Sequence, residues 1–171
     1  GFAVVVAPAF QLVDEALVDT WKAYAEGGGH LILTCRTGQK DRSGRMWTGK
    51  FSAPVAPLIG ADIAFYDMLL EDGRGRVNLA GARGPFAWNN WADVLEPAPG
   101  TETLASYADQ FYAGKAAATS RKLGRGTVTY IGVDTDDGRL EREIMRRVYA
   151  RAGIGIADLP EGVYIEWRDG F

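Results

Sequence analysis

Two short apolar segments enclose one amphipathic segment at the start of the sequence, and this arrangement constrains the fold more than any other feature. Residues 2–7 and 30–34 are mainly apolar runs typical of buried strands. Between them, residues 14–26 carry apolar side chains at helical spacing, and the glycines at 27–29 end the helix. Such a β-α-β unit joins parallel strands by a right-handed crossover. The sequence therefore predicts the α/β class.

The rest of the chain shows weaker patterns. A long polar loop is predicted over residues 36–53, and loops of this length commonly have functional or interfacial roles. The other patterns predict strands over 61–69 and 76–80, an aromatic loop over 85–99, a β-hairpin from 115–120 and 127–132, a helix from Asp136 or Asp137 to about residue 152, and an alternating strand over 162–168. The helix has an apolar stripe at four-residue spacing, formed by Leu140, Ile144, Val148 and Ala152. Because the chain opens directly on a core strand, we expect an N-terminally truncated domain.

Composition narrows the classes of partner. The 171 residues include 22 acidic and 19 basic side chains, a balance that argues against nucleic-acid binding because phosphate contacts need a basic face. No apolar run reaches the ~18 residues of a membrane span. The single cysteine allows neither an internal disulfide nor a multi-thiolate metal site, and it fits a reducing compartment.

Cys35 is the sharpest catalytic candidate. It directly follows the second predicted strand, a position where a thiol can act as a nucleophile. His30, the only histidine, begins the same strand, so the rise of ~3.3 Å per residue places it roughly 16 Å away on the opposite face. The two side chains therefore cannot form a hydrogen-bonded pair, which favours Cys35 as a small buried apolar residue.

Other chemical patterns have simpler explanations. The glycines at 27–29 lie at a helix end before a strand, the wrong order for a phosphate-binding turn at a helix start. Glycoside hydrolysis needs two facing carboxylates, yet the acids here fall mostly at helix starts and turns, where capping explains them. These acids are Asp14, Glu15, Asp134, Asp136, Asp137, Glu141 and Glu143.

Loop residues leave two interpretations open. The basic side chains Arg36, Lys40, Arg42 and Arg45 are expected either to bind an anion or a partner's carboxylates or to be solvated. The tryptophans Trp47, Trp88 and Trp91 are expected either to contact a sugar or a protein partner or to cover the domain's own core.

Taken in order, several segments resemble the middle, or trimerisation, domain of glycoside hydrolase family 42 β-galactosidases. They are residues 4–9, 23–24 with 26–28, 31–34 followed by 37–38, Asp41 and Trp47, and then 91–93, 105–109, 114–117, 124–126, 130–132 and 159–163. Their order and spacing together are more specific than any one of them. Cys35 stands where the family usually has a bulky apolar or aromatic residue, and Arg42 stands where an acid is common.

The resemblance implies a flavodoxin-like, class I glutamine-amidotransferase-like three-layer fold with parallel core strands and an added β-hairpin. It implies a trimerisation domain over residues 1–158 and the start of a C-terminal β-domain over 159–171. The family's two catalytic glutamates lie on a (β/α)8 barrel, and its four-cysteine zinc site, found in some members, is impossible with one thiol.

The chain is therefore expected to be a non-catalytic accessory domain without a cofactor, in a bacterial cytoplasmic β-galactosidase. Its expected partners are the parent's own barrel and the other subunits of a trimer. The residues predicted for that interface are Arg36, Asp41, Arg45, Trp47, Trp88 and Trp91. Two alternatives are an independent amidotransferase-like cysteine enzyme using Cys35 and a sugar-binding module using Trp88 and Trp91.

Overall fold

The computed structural model describes residues 1–70, 73–135, 137–157, 159, 160, 162, 163, 165 and 166. In this part of the chain, nine strands form one mixed sheet and three helices accompany it. The strands are β1 (Val4–Ala7), β2 (His30–Thr34), β3 (Ala61–Met68), β4 (Gly75–Leu79), β5 (Pro85–Pro97), β6 (Thr101–Tyr107), β7 (Ala116–Leu123), β8 (Gly126–Ile131) and β9 (Val133–Asp134). The helices are α1 (Glu15–Glu26), α2 (Ala56–Ile59) and α3 (Arg139–Arg151).

The predicted β-α-β unit forms one end of the sheet. The order is β1-β2-β8-β7-β6-β4-β5-β3, and β1, β2 and β8 are mutually parallel neighbours. Leu31, Ile32 and Leu33 of β2 have no exposed surface, as expected for a central strand. The expectation that β1 is buried on both faces is wrong, because β1 ends the strand order and Val6 is 39% exposed.

Helix α1 forms where the apolar spacing of residues 14–26 predicted a helix. Asp14 is the N-cap, and its Oδ1 accepts a hydrogen bond of 2.8 Å from the backbone N–H of Leu17. That bond, together with the Arg42 guanidinium, lowers the pKa of Asp14. Trp21 and Ala25 form the buried face of the helix. The helix ends at Glu26, directly before the first of the three glycines.

Most of the remaining sheet is antiparallel, so parallel core strands account for only three of the nine strands in the described chain. The largest correction concerns residues 85–99, predicted as a loop. Strand β5 occupies Pro85–Pro97 and pairs with β4 over its first half and with β3 over its second. Asn90, near the middle, has a left-handed backbone with φ of 55°, which bends the strand between these two partners.

The predicted hairpin is confirmed as β7 and β8. Leu123 pairs with Gly126, and Gly124 between them has φ of 58°, a backbone conformation that favours glycine. Gly126 serves a different purpose: a Cβ there would overlap the carbonyl oxygens of Gly29 and Ala25. The tip of the hairpin therefore packs against the end of α1.

Two apolar clusters lie on opposite faces of the sheet. The first contains Ile32 and the buried residues of α3, which are Leu140, Ile144 and Val148. The second contains Leu31 and Leu33, which alternate with Ile32, and the buried residues of α1. The predicted apolar stripe of α3 is thus confirmed at Leu140, Ile144 and Val148, whereas Ala152 is the half-buried C-cap that follows the helix. The helix begins at Arg139 after Gly138, with no side-chain cap.

The end of the chain differs from the predicted strand over 162–168. Residues 162, 163, 165 and 166 are described and form no strand, and the other residues of that segment lie outside the described part. Asp136, one of the two predicted helix caps, also lies outside it, while Asp137 Oδ1 accepts a hydrogen bond of 3.0 Å from the Arg139 N–H. Among the described residues, no helix is both long and apolar enough to cross a membrane.

Candidate functional site

The carboxyl end of β2 brings together polar side chains that are far apart in the sequence. Cys35 and Arg36 follow this strand directly, and Asp93 of β5 reaches the same place. Asp93 is 1% exposed and lies within an apolar run, between Ala92 and Val94. A buried carboxylate needs hydrogen-bond donors to offset its lost hydration. The geometry around Asp93 supplies them.

Three donors surround the Asp93 carboxylate. Its Oδ2 accepts from the Tyr130 hydroxyl at 2.7 Å and from the Arg36 backbone N–H at 3.0 Å. Its Oδ1 accepts from Trp91 Nε1 at 2.8 Å. Burial raises the pKa of Asp93 even though these three hydrogen bonds and the Arg36 charge act in the opposite direction. Burial and the nearby Asp93 carboxylate likewise raise the pKa of the Tyr130 hydroxyl.

Cys35 lacks the surroundings of a nucleophile. Its side chain is buried at 6% exposure, and burial, followed by the Asp93 and Asp134 carboxylates, strongly raises the pKa of its thiol. His30 lies at the other end of β2, where its Nδ1 is 2.8 Å from Thr127 Oγ1. Burial and the Arg151 charge lower the pKa of His30. Within the part of the chain that the structure describes, Cys35 therefore has no histidine beside it, and its raised pKa disfavours the thiolate that cysteine catalysis needs.

Two of the predicted interface residues meet beside this cluster. The Arg36 guanidinium carbon lies 4.9 Å from the centre of the Trp91 ring, a cation–π geometry. Trp91 also stacks on Tyr66, with ring centres 4.4 Å apart and planes 8° apart. Trp91 is half-buried and Tyr66 is 42% exposed, so the pair lies at the surface. Tyr66 was not among the predicted residues.

Asp41 and Arg45 meet farther along the loop. Asp41 Oδ1 accepts from the backbone N–H of Ser43 and of Arg45, and from the Ser43 hydroxyl, while Oδ2 accepts from Arg45 Nε at 3.2 Å. These hydrogen bonds, led by the Ser43 hydroxyl, lower the pKa of Asp41. Asp41 therefore closes a tight turn of its own loop. The Arg45 side chain is 81% exposed although it pairs with Asp41.

The other two tryptophans lie elsewhere. Trp47 is half-buried and lines a surface cavity of about 720 Å³ with Val18, Leu58 and Leu123, between α1 and the loop. Trp88 has no exposed surface and contacts Tyr107 edge-on at 6.0 Å within the first apolar cluster. Trp88 thus occupies a core position, and an interface role of the six predicted residues stays a prediction.

No group of three or more histidine, cysteine, aspartate or glutamate side chains in the described part of the chain could hold a metal ion. Sequence reasoning missed Asp93, Tyr107 and Tyr130, which come from three different strands. The one available signal was an aspartate within the apolar run from Ala92 to Leu95, since an acid there must be paired if that run is a buried strand.

Comparisons with known proteins establish the family. Residues 1–157 match the family described as the β-galactosidase trimerisation domain. β-Galactosidase BglY of Alicyclobacillus acidocaldarius is 32% identical over 178 aligned residues, which cover 99% of this chain and 26% of that protein. β-Galactosidase Bga of Halorubrum lacusprofundi is also 32% identical, over 99% of this chain and 26% of its own length.

Solved structures agree with these sequence matches. The polyextremophilic β-galactosidase from the haloarchaeon Halorubrum lacusprofundi has a TM-score of 0.89 at 32% identity, over 98% of this chain and 25% of that chain. The β-galactosidase of Bacillus circulans has the same fold, with a TM-score of 0.83 at 21% identity, over 90% of this chain and 23% of that chain.

The chain belongs to the trimerisation-domain family of glycoside hydrolase family 42 β-galactosidases, as its sequence segments predicted. It spans about a quarter of the length of the curated relatives that it matches.

Proposed function

We propose that this chain is the non-catalytic assembly domain of a β-galactosidase. The match of residues 1–157 to the trimerisation domain carries this proposal, since the chain corresponds to only about a quarter of each relative. The buried thiol of Cys35 supports it, because burial raises the pKa of this thiol and disfavours the thiolate that a cysteine nucleophile needs. The parent enzyme then hydrolyses terminal β-galactosides with two glutamates on a barrel outside this chain, in a bacterial cytoplasm.

The fold itself supports a flavodoxin-like, amidotransferase-like origin. Strands β1, β2 and β8 are parallel, and α1 and α3 pack on opposite faces of this end of the sheet. The antiparallel strands extend the sheet beyond β8. In this proposal, an enzyme-like scaffold keeps a cysteine after β2 as a packing residue and serves assembly.

We assign the assembly surface to the loop over residues 36–53 together with Trp91. The exposed Arg45 side chain and the turn that Asp41 closes present a fixed cation to a partner, which is a second subunit or the parent's barrel. Half-buried Trp47, which lies within this loop, and half-buried Trp91, which contacts Arg36 at the start of the loop, provide aromatic area. Together they form the charged and aromatic mixture typical of protein interfaces.

Activity and association measurements test whether this domain serves assembly while catalysis resides in the rest of the parent enzyme. The isolated chain should not hydrolyse a chromogenic β-galactoside, whereas the full-length parent should. Light scattering should show the parent as a trimer, and removal of residues 1–157 should abolish the trimer. Turnover by the isolated chain, or a trimer that persists without this domain, would contradict the proposal.

A charge reversal tests the proposed surface. Arg45→Glu in the parent should weaken trimer association by about tenfold or more, which corresponds to about 1.4 kcal/mol. Arg83→Glu is the matched control, because Arg83 is exposed on the connection between β4 and β5. Equal trimer dissociation for the two variants, measured by analytical ultracentrifugation, would remove Arg45 from the interface.

A further inference from the structure

The backbone of Asp93 in β5 is hydrogen-bonded to two other parts of the sheet. Its N–H donates to the carbonyl oxygen of Gly132 at 2.6 Å, directly after β8. Its own carbonyl oxygen accepts from the Tyr107 hydroxyl of β6 at 2.9 Å. The backbone of Asp93 is therefore hydrogen-bonded both to the residue that follows β8 and to β6, in addition to the bonds of its side chain.

The Asp93 side chain in turn fixes the first residue of the loop. Arg36 has φ of 67°, a left-handed conformation that is unfavourable for a residue with a Cβ. The hydrogen bond from the Arg36 N–H to Asp93 Oδ2, at 3.0 Å, holds the chain in that conformation. The direction in which residues 36–53 leave β2 thus depends on one buried carboxylate from a distant strand.

The same carboxylate fixes an aromatic ring at the surface. The hydrogen bond from Trp91 Nε1 to Asp93 Oδ1 sets the orientation of the indole. That indole supports the Arg36 guanidinium at 4.9 Å and stacks on Tyr66 at 4.4 Å. Met68, which is 60% exposed, pairs with Trp91 across β3 and β5 and therefore lies on the same face. We call Arg36, Tyr66, Met68 and Trp91 the aromatic surface.

A buried carboxylate is an expensive way to stabilise a core, since an apolar residue of similar volume is often at least as stabilising. Its two oxygens here receive one donor from the loop, one from the aromatic surface and one from Tyr130 of β8. Such a set of bonds fixes relative geometry, which an apolar contact specifies less sharply.

We propose that Asp93 is the positioning residue of the assembly surface, setting the exit of the 36–53 loop and the orientation of the aromatic surface from one buried position. This inference rests on the proposed function, because it takes that loop and Trp91 to meet a partner. Asp93 itself contacts no partner and acts only through Arg36 and Trp91.

The test uses the full-length parent carrying Asp93→Asn. An amide of the same shape has one oxygen acceptor, so its NH2 group faces donors that the carboxylate accepted. We expect the folded variant to dissociate from the trimer at least tenfold more readily than the wild type. We also expect faster hydrogen exchange at the amides of Arg36 and the residues that follow it.

Tyr107→Phe is the matched control. It removes a buried hydrogen bond to the backbone of Asp93 but leaves the carboxylate and its three donors in place. It should lower the thermal midpoint of the parent while leaving trimer dissociation unchanged within twofold. A merely structural role of Asp93 would make the two variants alike in both measurements.

A second variant covers the case in which Asp93→Asn fails to fold. Trp91→Phe keeps an aromatic ring against Tyr66 but removes the donor to Asp93, and it should weaken the trimer about threefold. A folded Asp93→Asn or Trp91→Phe parent with unchanged trimer dissociation and unchanged exchange at Arg36 overturns this inference. If Arg45→Glu weakens the trimer in the same assay, the proposed function stands and only the role of Asp93 fails.

Discussion

Cys35 shows how a residue's surroundings, rather than its position in a fold, decide its chemistry. The thiol follows β2 at a nucleophile-like position, yet it is 6% exposed and its pKa is raised by burial and by the Asp93 carboxylate. The sequence correctly excluded His30 as its base, because the two residues lie at opposite ends of one strand. The degree of burial could not be derived from the sequence, since it depends on packing against distant strands.

We predict that Cys35 does not react with iodoacetamide in the folded chain and reacts fully after denaturation. The reason is that alkylation needs an accessible thiolate, which burial and the raised thiol pKa both disfavour. Mass spectrometry measures the modification. Thr48→Cys places a thiol at an exposed loop position and should react rapidly in the folded state. Native labelling of Cys35 at the rate of that control would refute the prediction.

Asp93 makes the stability of the chain depend on pH in an identifiable direction. Burial raises its folded-state pKa above the ordinary value of 3.8, so between these two values the folded state binds the proton more tightly than the unfolded state. Stability from this group therefore rises as the pH falls through that window, by at most about 1.4 kcal/mol for each pH unit.

We predict that the wild type gains stability relative to Asp93→Asn when the pH is lowered from 7 towards 4, as measured by urea unfolding. Asp14→Asn is the control. The Leu17 N–H and Arg42 lower the pKa of Asp14 below 3.8, so its stabilising contribution is lost only at still lower pH, and the difference between the wild type and Asp14→Asn should stay nearly constant over most of this range. A constant difference between wild type and Asp93→Asn across this range would show that Asp93 does not titrate there.

At the scale of elements, the sequence predicted helices α1 and α3 and the hairpin turn, because interactions within a few residues determine them. The apolar spacing of α1 and α3, the glycine stop after α1 and the turn at Gly124 all act within a few residues, and these elements formed where expected. The sequence did not predict strand β5, because Asn89 and Asn90 interrupt its apolar residues. Its identity depends on pairing with β3 and β4 on either side of the bend, which no local pattern reports.

The hairpin formed by β7 and β8 provides a sharp test of packing between elements. Gly126→Ala should destabilise the chain by about 3 kcal/mol, because the added Cβ would overlap the backbone oxygens of Gly29 and Ala25, which cannot move independently. Gly155→Ala is the control, since a Cβ there meets no atom within 4 Å, and it should change stability by less than about 0.5 kcal/mol. Equal urea midpoints for the two variants would contradict the packing of the hairpin against α1.

At the scale of the whole molecule, one sheet separates two apolar clusters but shares strands between them. Ile32 faces the α3 side, while Leu31 and Leu33 face the α1 side of the same strand. Loss of packing on one face must therefore disturb the strand that supports the other. The sequence predicted β2 as a buried strand, but it did not predict how far the antiparallel strands extend the sheet.

We predict that the two faces unfold in one transition. Ile144→Ala on the α3 face and Leu33→Ala on the α1 face should each lower the unfolding free energy by about 2–5 kcal/mol. Far-ultraviolet circular dichroism and tryptophan fluorescence should give coincident urea curves. The fluorescence sums all five tryptophans, which include Trp88 on the first face and Trp21 on the second. Two separated transitions in either variant would show that the faces are independent.

The pairing of β2 with β8 has a consequence for the order of events during synthesis. His30 and Thr127 are partners in this ladder although they lie 97 positions apart in the chain. While the ribosome adds the intervening residues, β2 has β1 as a neighbour but lacks β8, and its apolar side chains have no complete core to enter. Closing such a distant contact is slow relative to forming a helix or hairpin. The nascent β1-α1-β2 unit is therefore the segment that most needs protection from aggregation until β8 has emerged.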